Sequence, residues 1–174
     1  MPNLDLYYLN KNHIERICHP LAVTFLNKIN DPISIFSAAD MKKLDACLNL
    51  PRATFNGREM YSDLISKAAI LYYAIIKNHC FLNGNKRIAT TSLIVFLFIN
   101  NYWLEVGQNF LYDLALAVAQ SEGKRMDEVK KLIIDKITPH IIFLKVGGKS
   151  RKHSGFLFHL GNLKHNFKEL TGKK

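Results

Sequence analysis

Residues 52–87 read RATFNGREMYSDLISKAAILYYAIIKNHCFLNGNKR, and this stretch contains the turn, helix and loop from which we predict the fold. The pair Asn56 and Gly57 is typical of a tight hairpin turn, so we expect a small ribbon around it, with an ordinary loop as the alternative. Ser62 or Asp63 can cap the long helix that follows. A loop then leads from this helix into a second one.

The second helix is apolar on nearly every side. It begins near Asn85, and residues 88–100 read IATTSLIVFLFIN. A helix without a polar face is one that other protein segments surround, and no turn signal divides the run into two strands. Helical spacing also indicates helices at about 37–48, 110–120 and 126–137. We therefore predict an all-α helical bundle with a small β-hairpin flap and a basic C-terminal extension.

Weaker signals flank this region. Asn10 or Asn12 can cap a first helix, which we expect Pro20 to interrupt because proline lacks the backbone donor that a helix interior needs. Residues 102–106 and 141–146 are apolar enough to form short extended segments. These elements complete the bundle around the central helix pair.

The composition indicates an ordinary soluble protein. The chain has 174 residues, of which 48% are hydrophobic and 22% are charged. No apolar run reaches the roughly 18 residues that span a bilayer, and the N-terminus lacks the blocks of a secretory signal. We therefore expect a cytoplasmic protein without a membrane partner. Three cysteines stand singly, which predicts reduced, buried thiols rather than a zinc site.

Positive charge is concentrated at the C-terminal end. The formal net charge is +10, and residues 145–174 carry eight Lys/Arg and one acid. We place a boundary at Gly147, between a catalytic domain at 1–146 and a basic extension at 147–174. Such an extension can attract nucleic acid, with its phenylalanines stacking on bases. The preferred alternatives are a solvated end, or phenylalanines that pack the extension onto the body.

Residues 79–87, which we call the motif loop, read HCFLNGNKR. The first N–H groups of the helix that follows have no partner inside it, and the helix dipole adds positive charge there. Gly84 permits close approach of the backbone, and Lys86 and Arg87 add cations that grip phosphate oxygens. Together with Asn85, these residues predict a phosphate-binding site.

Two other side chains of the motif loop suit group transfer. The imidazole of His79 can take a proton from a hydroxyl group, and the amide oxygen of Asn83 is a weak magnesium ligand. Phe81 is expected to pack the loop onto the core. Each signal alone has an ordinary explanation, such as a helix cap, a turn or a solvated pair of cations. The prediction therefore depends on their order and spacing.

This order resembles the signature of the Fic/Doc family, His-x-Phe-x-acid-Gly-Asn-x-Arg. The matching residues are His79, Phe81, Gly84, Asn85 and Arg87. Residues 52–87 are most similar to the death-on-curing (Doc) branch through their flap, helix and loop, and the likeness extends over about residues 5–138. The basic extension lies outside it.

The resemblance implies a helical Fido fold with a flap over the site. It implies that His79 is the catalytic base, that Asn85 and the loop amides hold phosphates, and that Arg87 pairs with them. The flap would align a target segment by strand-like pairing, through the residues Thr54, Phe55, Asn56 and Gly57. Adenylyl transfer from ATP is the common activity of the family. The Doc branch resembles a magnesium-dependent kinase of a translation elongation factor, a toxin that acts beside an antitoxin.

The chain departs from the adenylylating pattern at three positions. Lys86 replaces a second glycine, and Thr90 stands where a second arginine would lie; both changes favour phosphoryl transfer to a Ser/Thr hydroxyl over AMP transfer. Asn83 replaces the usual acid, which leaves a catalytically weakened binding module as a further alternative. We predict from the sequence that Asn83→Asp raises magnesium-dependent transfer.

Some members of the family carry an inhibitory Ser/Thr-x-x-x-Glu helix. The residue four positions before each of the six glutamates is neither serine nor threonine. We therefore expect restraint by a separate antitoxin that lies over the site.

Overall fold

A computed structural model describes residues 6–26 and 28–144. The described helices are α1 (Lys11–His13), α2 (His19–Leu26), α3 (Met41–Asn49), α4 (Leu64–Lys77), α5 (Asn85–Ile99), α6 (Gln108–Ala119) and α7 (Met126–Ile137). The described strands are β1 (Thr54–Phe55), β2 (Arg58–Glu59), β3 (Tyr102–Leu104) and β4 (Ile141–Phe143). The structure thus confirms a mainly helical fold with a small hairpin flap. The predicted basic extension and the domain boundary lie outside the described residues.

Helices α4 and α5 form the centre of the bundle. The side chain of Asp63 accepts a hydrogen bond from the N–H of Ser66, so Asp63 is the residue that caps α4. Residues 88–98 of α5 are buried without exception, which confirms the prediction of a helix surrounded by protein. Each fully buried large apolar side chain contributes about 1.5–3 kcal/mol. This packing fixes the positions of the two helix ends between which the motif loop lies.

The first helical segment differs from the expected interruption at Pro20. Asn10 caps α1, and the chain continues through a π-helical turn, Ile14–Cys18, directly into α2. A proline ring crowds the carbonyl of the preceding turn, and a wider turn relieves that crowding without ending the helix. The hydroxyl of Thr91 donates to the carbonyl of Cys18 at 2.8 Å, which ties this turn to α5.

The second sheet joins two segments that the sequence only indicated as extended. Strands β3 and β4 pair antiparallel, with Trp103 opposite Ile142. The pair lies at the C-terminal end of α5, where Asn100 exchanges hydrogen bonds with the backbone of Tyr7 at 2.9 Å in both directions. These contacts close the bundle at the end opposite the motif loop. None of the described helices is both long and apolar enough to cross a membrane.

Candidate active site

His79 lies directly after the capped end of α4. The backbone N–H and the side-chain amide of Asn78 both donate to the carbonyl of Ala74, at 3.0 and 2.9 Å, so Asn78 rather than His79 caps the helix. His79 has a φ of 48°, a left-handed conformation that costs a non-glycine residue about 1–2 kcal/mol. Its side chain is exposed and makes no hydrogen bond to another described residue. Its ring is therefore open to a substrate.

Gly84 is the N-cap residue of α5 and has a conformation that requires glycine. Its φ is 93°, and a Cβ atom at this position would lie 2.9 Å from Cγ2 of Ile33. Both the backbone angle and the lack of space require a residue without a side chain. Ile33 belongs to a turn far away in sequence, so the shape of the motif loop depends on that turn.

Asn85 holds the motif loop in shape through its side chain. The N–H of Phe81 donates to Oδ1 of Asn85 at 2.9 Å, and Nδ2 of Asn85 donates to the carbonyl of Phe81 at 2.7 Å. The backbone N–H groups of Asn85 and Lys86 have no hydrogen-bond partner among the described residues. Two unpaired amides at the positive end of a helix form an anion site, so it is the backbone of Asn85 that is positioned to bind phosphate.

The amide of Asn83 makes three hydrogen bonds inside the protein. Nδ2 donates to Oδ1 of Asp31 at 2.6 Å and to the carbonyl of Pro32 at 2.7 Å. Oδ1 accepts from the N–H of Gly84 at 2.8 Å. A carboxylate at this position would face the carboxylate of Asp31 and a carbonyl oxygen without any proton to share. The neutral residue at position 83 is therefore explained by its neighbours.

Arg87 is bound by the same turn. Nη1 donates to the carbonyl of Asp31 at 2.6 Å, and Nη2 donates to Oδ2 of Asp31 at 2.9 Å. The hydrogen bond from Asn83 holds the pKa of the Asp31 carboxyl below its ordinary value, and the nearby cations Arg87, Lys28 and Lys86 act in the same direction. The ionised carboxylate of Asp31 thus lies near Lys86 and Arg87, the two cations that the sequence predicts to bind phosphate.

Ser34 connects this turn to the backbone of the motif loop. Its N–H and its hydroxyl both donate to the carbonyl of Asn83, at 3.3 and 3.0 Å, and the N–H of Asn83 lies 3.3 Å from the same hydroxyl oxygen. We call residues 28–34, which comprise the turn at 28–31 and the three residues after it, the bracing turn. Nothing in the sequence around Ser34 indicates this contact, because its partner lies about fifty positions away.

A cleft of about 340 Å³ opens beside the first turns of α5. Its polar residues include Lys28, Asp31, Lys86 and Arg87, and its apolar wall includes Phe25, Leu26, Leu111 and Tyr112. The hydroxyl of Thr90, which also lines the cleft, donates to the carbonyl of Lys86 at 2.8 Å. His79 is not among the residues that line this cleft.

Carboxylate oxygens are the ligands that magnesium prefers, usually one or two of them together with phosphate oxygens and water. Among the described residues there is no group of three or more His, Cys, Asp or Glu side chains that could hold a metal. The amide oxygen of Asn83, the predicted ligand, is occupied by Gly84. Asp31 offers a partly exposed carboxylate beside the same loop. Its two oxygens already contact Asn83 and Arg87, so Asp31 could hold a magnesium ion together with phosphate oxygens once Arg87 exchanges partners.

The flap has the geometry that its sequence predicts. Thr54 pairs with Glu59, and Phe55 pairs with Arg58, around a turn in which Asn56 and Gly57 have φ values of 49° and 74°. The four strand residues are exposed, and the side chain of Phe55 is 71% exposed. A two-stranded ribbon with free edges can accept an extended peptide as a third strand.

One buried cation anchors the flap to the bundle. Lys67 of α4 is 2% exposed, and its Nζ donates to the carbonyl of Pro51 at 3.1 Å and lies 3.2 Å from Oε2 of Glu59. Pro51 precedes the flap, and Glu59 belongs to its second strand. The role of Lys67 could not be predicted from the sequence, because a lysine in an apolar helix gives no sign of which partner it contacts.

The helical bundle, the hairpin and the loop at the start of the buried helix define the class of this protein. The Fic/DOC family profile matches residues 6–97, more than half of the chain, and the chain belongs to this family. Among curated proteins, "Toxin Doc" of Mycolicibacterium smegmatis is 40% identical over 65 residues, which is 37% of this chain and 50% of that protein. The chain thus spans about half the length of this relative. No solved structure matches it.

Proposed function

We propose that this protein is a Doc-like transferase that moves a phosphoryl group from ATP to a Ser/Thr hydroxyl of a target protein. The observation that carries the proposal is the order of groups along the motif loop, from the end of α4 to the start of α5. An exposed imidazole, His79, is followed by the unpaired backbone N–H groups of Asn85 and Lys86 and by the cations of Lys86 and Arg87. Phosphoryl transfer requires a base and a phosphate cradle, and one short loop supplies both.

In the proposed reaction, His79 accepts the proton of the target hydroxyl while that oxygen bonds to the γ-phosphorus. The bond between this phosphorus and the bridging oxygen breaks, and ADP leaves with the electron pair. Lys86, Arg87 and the two free N–H groups stabilise the negative charge on the phosphate oxygens. Magnesium, when bound, would neutralise phosphate charge, and Asp31 is the residue that would hold it.

Nucleotide binding requires Arg87 to exchange partners. Its guanidinium is now bound by the carbonyl and the carboxylate of Asp31. A phosphate group presents more charge and can accept two parallel hydrogen bonds from arginine. We therefore expect ATP to replace Asp31 as the partner of Arg87, while Ser34 keeps the backbone of the motif loop in place.

We propose the toxin role from the similarity to "Toxin Doc" and from membership of the family. We propose that the target hydroxyl belongs to a translation elongation factor and that the flap aligns it as an added strand. The proposed partner in trans is an antitoxin that covers the motif loop. The proposed location is the cytoplasm, where ATP and the target are found.

The experiment compares two labelled forms of ATP. The purified protein is incubated with magnesium, a cell lysate, and ATP labelled in either the γ- or the α-phosphate. We expect protein-bound label from the γ-phosphate above the background of the lysate's own kinases, and only that background with His79→Ala, whose exposed side chain makes the change safe for folding. Label from the α-phosphate would instead establish adenylyl transfer. Mass spectrometry of the labelled peptide identifies the modified residue.

A binding module without transfer activity is the second candidate. Asn83 and the occupied state of Arg87 favour it, because neither a loop carboxylate nor a free guanidinium is present. Calorimetry with ATP and magnesium separates the two functions. Binding without any labelled product in the lysate would support the module, whereas transfer in the wild type and not in His79→Ala excludes it.

A further inference from the structure

The fold brings together two cysteines that are far apart in the sequence. Cys47 lies on α3, Cys80 directly follows His79, and their Sγ atoms are 3.5 Å apart. Both side chains are buried, at 0% and 1% exposure. The third cysteine, Cys18, is buried in the π-helical turn and has neither of the other two as a neighbour in the structure.

Polar contacts distinguish the two thiols. Nδ2 of Asn78 lies 3.4 Å from Sγ of Cys47. The hydrogen bond from the Cys80 thiol lowers the pKa of Cys47, and the Asn78 amide adds to this effect. The same hydrogen bond raises the pKa of Cys80, and burial raises it further. Because the amide of Asn78 donates to Sγ of Cys47, negative charge is better stabilised on Cys47 than on Cys80, and the thiolate is the reactive form.

We propose that Cys47 and Cys80 form an oxidative modification site, which reacts with a peroxide and closes to a disulfide that links α3 to the motif loop. The Sγ atoms must approach from 3.5 Å to about 2.05 Å, which side-chain rotation and a small backbone shift supply. The site does not depend on the proposed transferase function. Hydrogen peroxide is small, and the exposed residue Asn78, whose amide contacts Cys47, marks its route.

The reaction has two steps. The Cys47 thiolate attacks one oxygen of hydrogen peroxide, the O–O bond breaks, and hydroxide leaves and is protonated to water, which yields a sulfenic acid. Cys80 then loses its proton and attacks the sulfur of Cys47, the S–S bond forms, and the S–O bond breaks with release of a second hydroxide, which that proton converts to water. Two electrons pass from the sulfurs to the peroxide.

The crosslink would fix the residue beside the candidate base. The N–H of Asp40, which caps α3, already donates to the carbonyl of Cys80 at 2.8 Å. A disulfide would add a covalent bond between the same two elements. The backbone next to His79 would then move only together with α3, and the strained φ of His79 would be locked.

The experiment treats the full chain with hydrogen peroxide and then blocks the remaining thiols with N-ethylmaleimide under denaturing conditions. We expect an intact mass with one maleimide adduct and a loss of two hydrogens, about 2 Da. Peptide mapping should find a Cys47–Cys80 bridge and the adduct on Cys18. Cys18 is the internal control, since burial raises its pKa to about 12.

Two variants test the order of the steps. Cys80→Ser should accumulate a Cys47 sulfenic acid that dimedone traps, whereas Cys47→Ser should give much less trapped product. Three free thiols in the treated wild type, or a bridge that includes Cys18, would overturn the proposal. The wild-type peptide map decides this even if a variant folds poorly, and circular dichroism reports whether it does.

Discussion

The flap and the motif loop both turn the chain through a glycine with positive φ, yet they are held in different ways. A Cβ atom added to Gly57 would meet nothing within 4 Å, whereas one added to Gly84 would lie 2.9 Å from Ile33. The flap turn stands free in solvent and is encoded by its own two residues. The conformation of the motif loop depends on the bracing turn, which packs against it.

The flap thus owes its conformation to its local sequence, and the motif loop owes its conformation to tertiary contacts. Lys67, a buried cation of α4, joins the flap to the bundle. The motif loop is joined to the bracing turn by the side chains of Asn83, Arg87 and Ser34, besides the packing of Ile33. We therefore expect changes at the loop to affect the whole site, and changes at the flap to remain local.

Gly84→Ala should have the largest effect. The methyl group meets Ile33 at the start of α5, and the backbone angle is unfavourable for alanine. We expect the free energy of unfolding to fall by about 2–4 kcal/mol. Gly57→Ala is the matched control, with a conformational cost of about 1 kcal/mol and no clash. Equal losses in urea denaturation would show that the loop is not braced.

Lys67→Met tests the anchor of the flap. Methionine keeps the apolar stem but leaves the carbonyl of Pro51 without its partner, at a cost of about 1–2 kcal/mol. We expect trypsin to cleave faster after Arg58, because the hairpin opens more often. Glu59→Gln removes only a partly exposed charge and should change stability by less than about 0.5 kcal/mol. An unchanged rate of cleavage in Lys67→Met would show that Lys67 does not anchor the flap.

Asn83→Asp now has a different expected result from the one that the sequence predicts. The new carboxylate would face Asp31 and lose both bonds from Nδ2, so we expect the variant to be less stable and its loop to be displaced. Adding Asp31→Asn reverses the polarity of the pair and should recover part of the lost stability, because the carbonyl of Pro32 still lacks its donor and Arg87 loses its carboxylate partner. Thermal unfolding of the two single variants and the double variant measures the coupling. Additive losses would mean that the two side chains do not interact.

The smallest effect is expected from pH. The pKa of Asp31 is lowered in the folded state, so its contribution is present above the unfolded-state pKa of about 3.9 and is lost as pH falls through the lower folded value. Wild type and Asp31→Asn should therefore differ in stability near neutral pH and converge below about pH 4. Chemical denaturation from pH 7 to pH 3 checks this. A constant difference across the range would assign the effect to something other than ionisation.

Much of the fold could be predicted from the sequence. The cap of α4, the flap turn and the apolar run of α5 are local patterns with direct physical meaning, and the structure has each of them where the sequence placed it. The pairing of β3 with β4 was not predicted, because two short extended segments do not indicate each other. The π-helical turn before Pro20 was also not predicted, because a proline indicates that a helix is disturbed but not which conformation results.

The sequence by itself determined the helical class, the family signature and the order of base, amides and cations in the motif loop. Those properties follow from periodicity and from residues within nine positions of one another. Only the tertiary structure decided why residue 83 is neutral, what Arg87 binds and which cysteines meet. Each of these depends on contacts across 33 to 56 positions, and such contacts leave no local trace because packing, not the neighbouring sequence, chooses the partner.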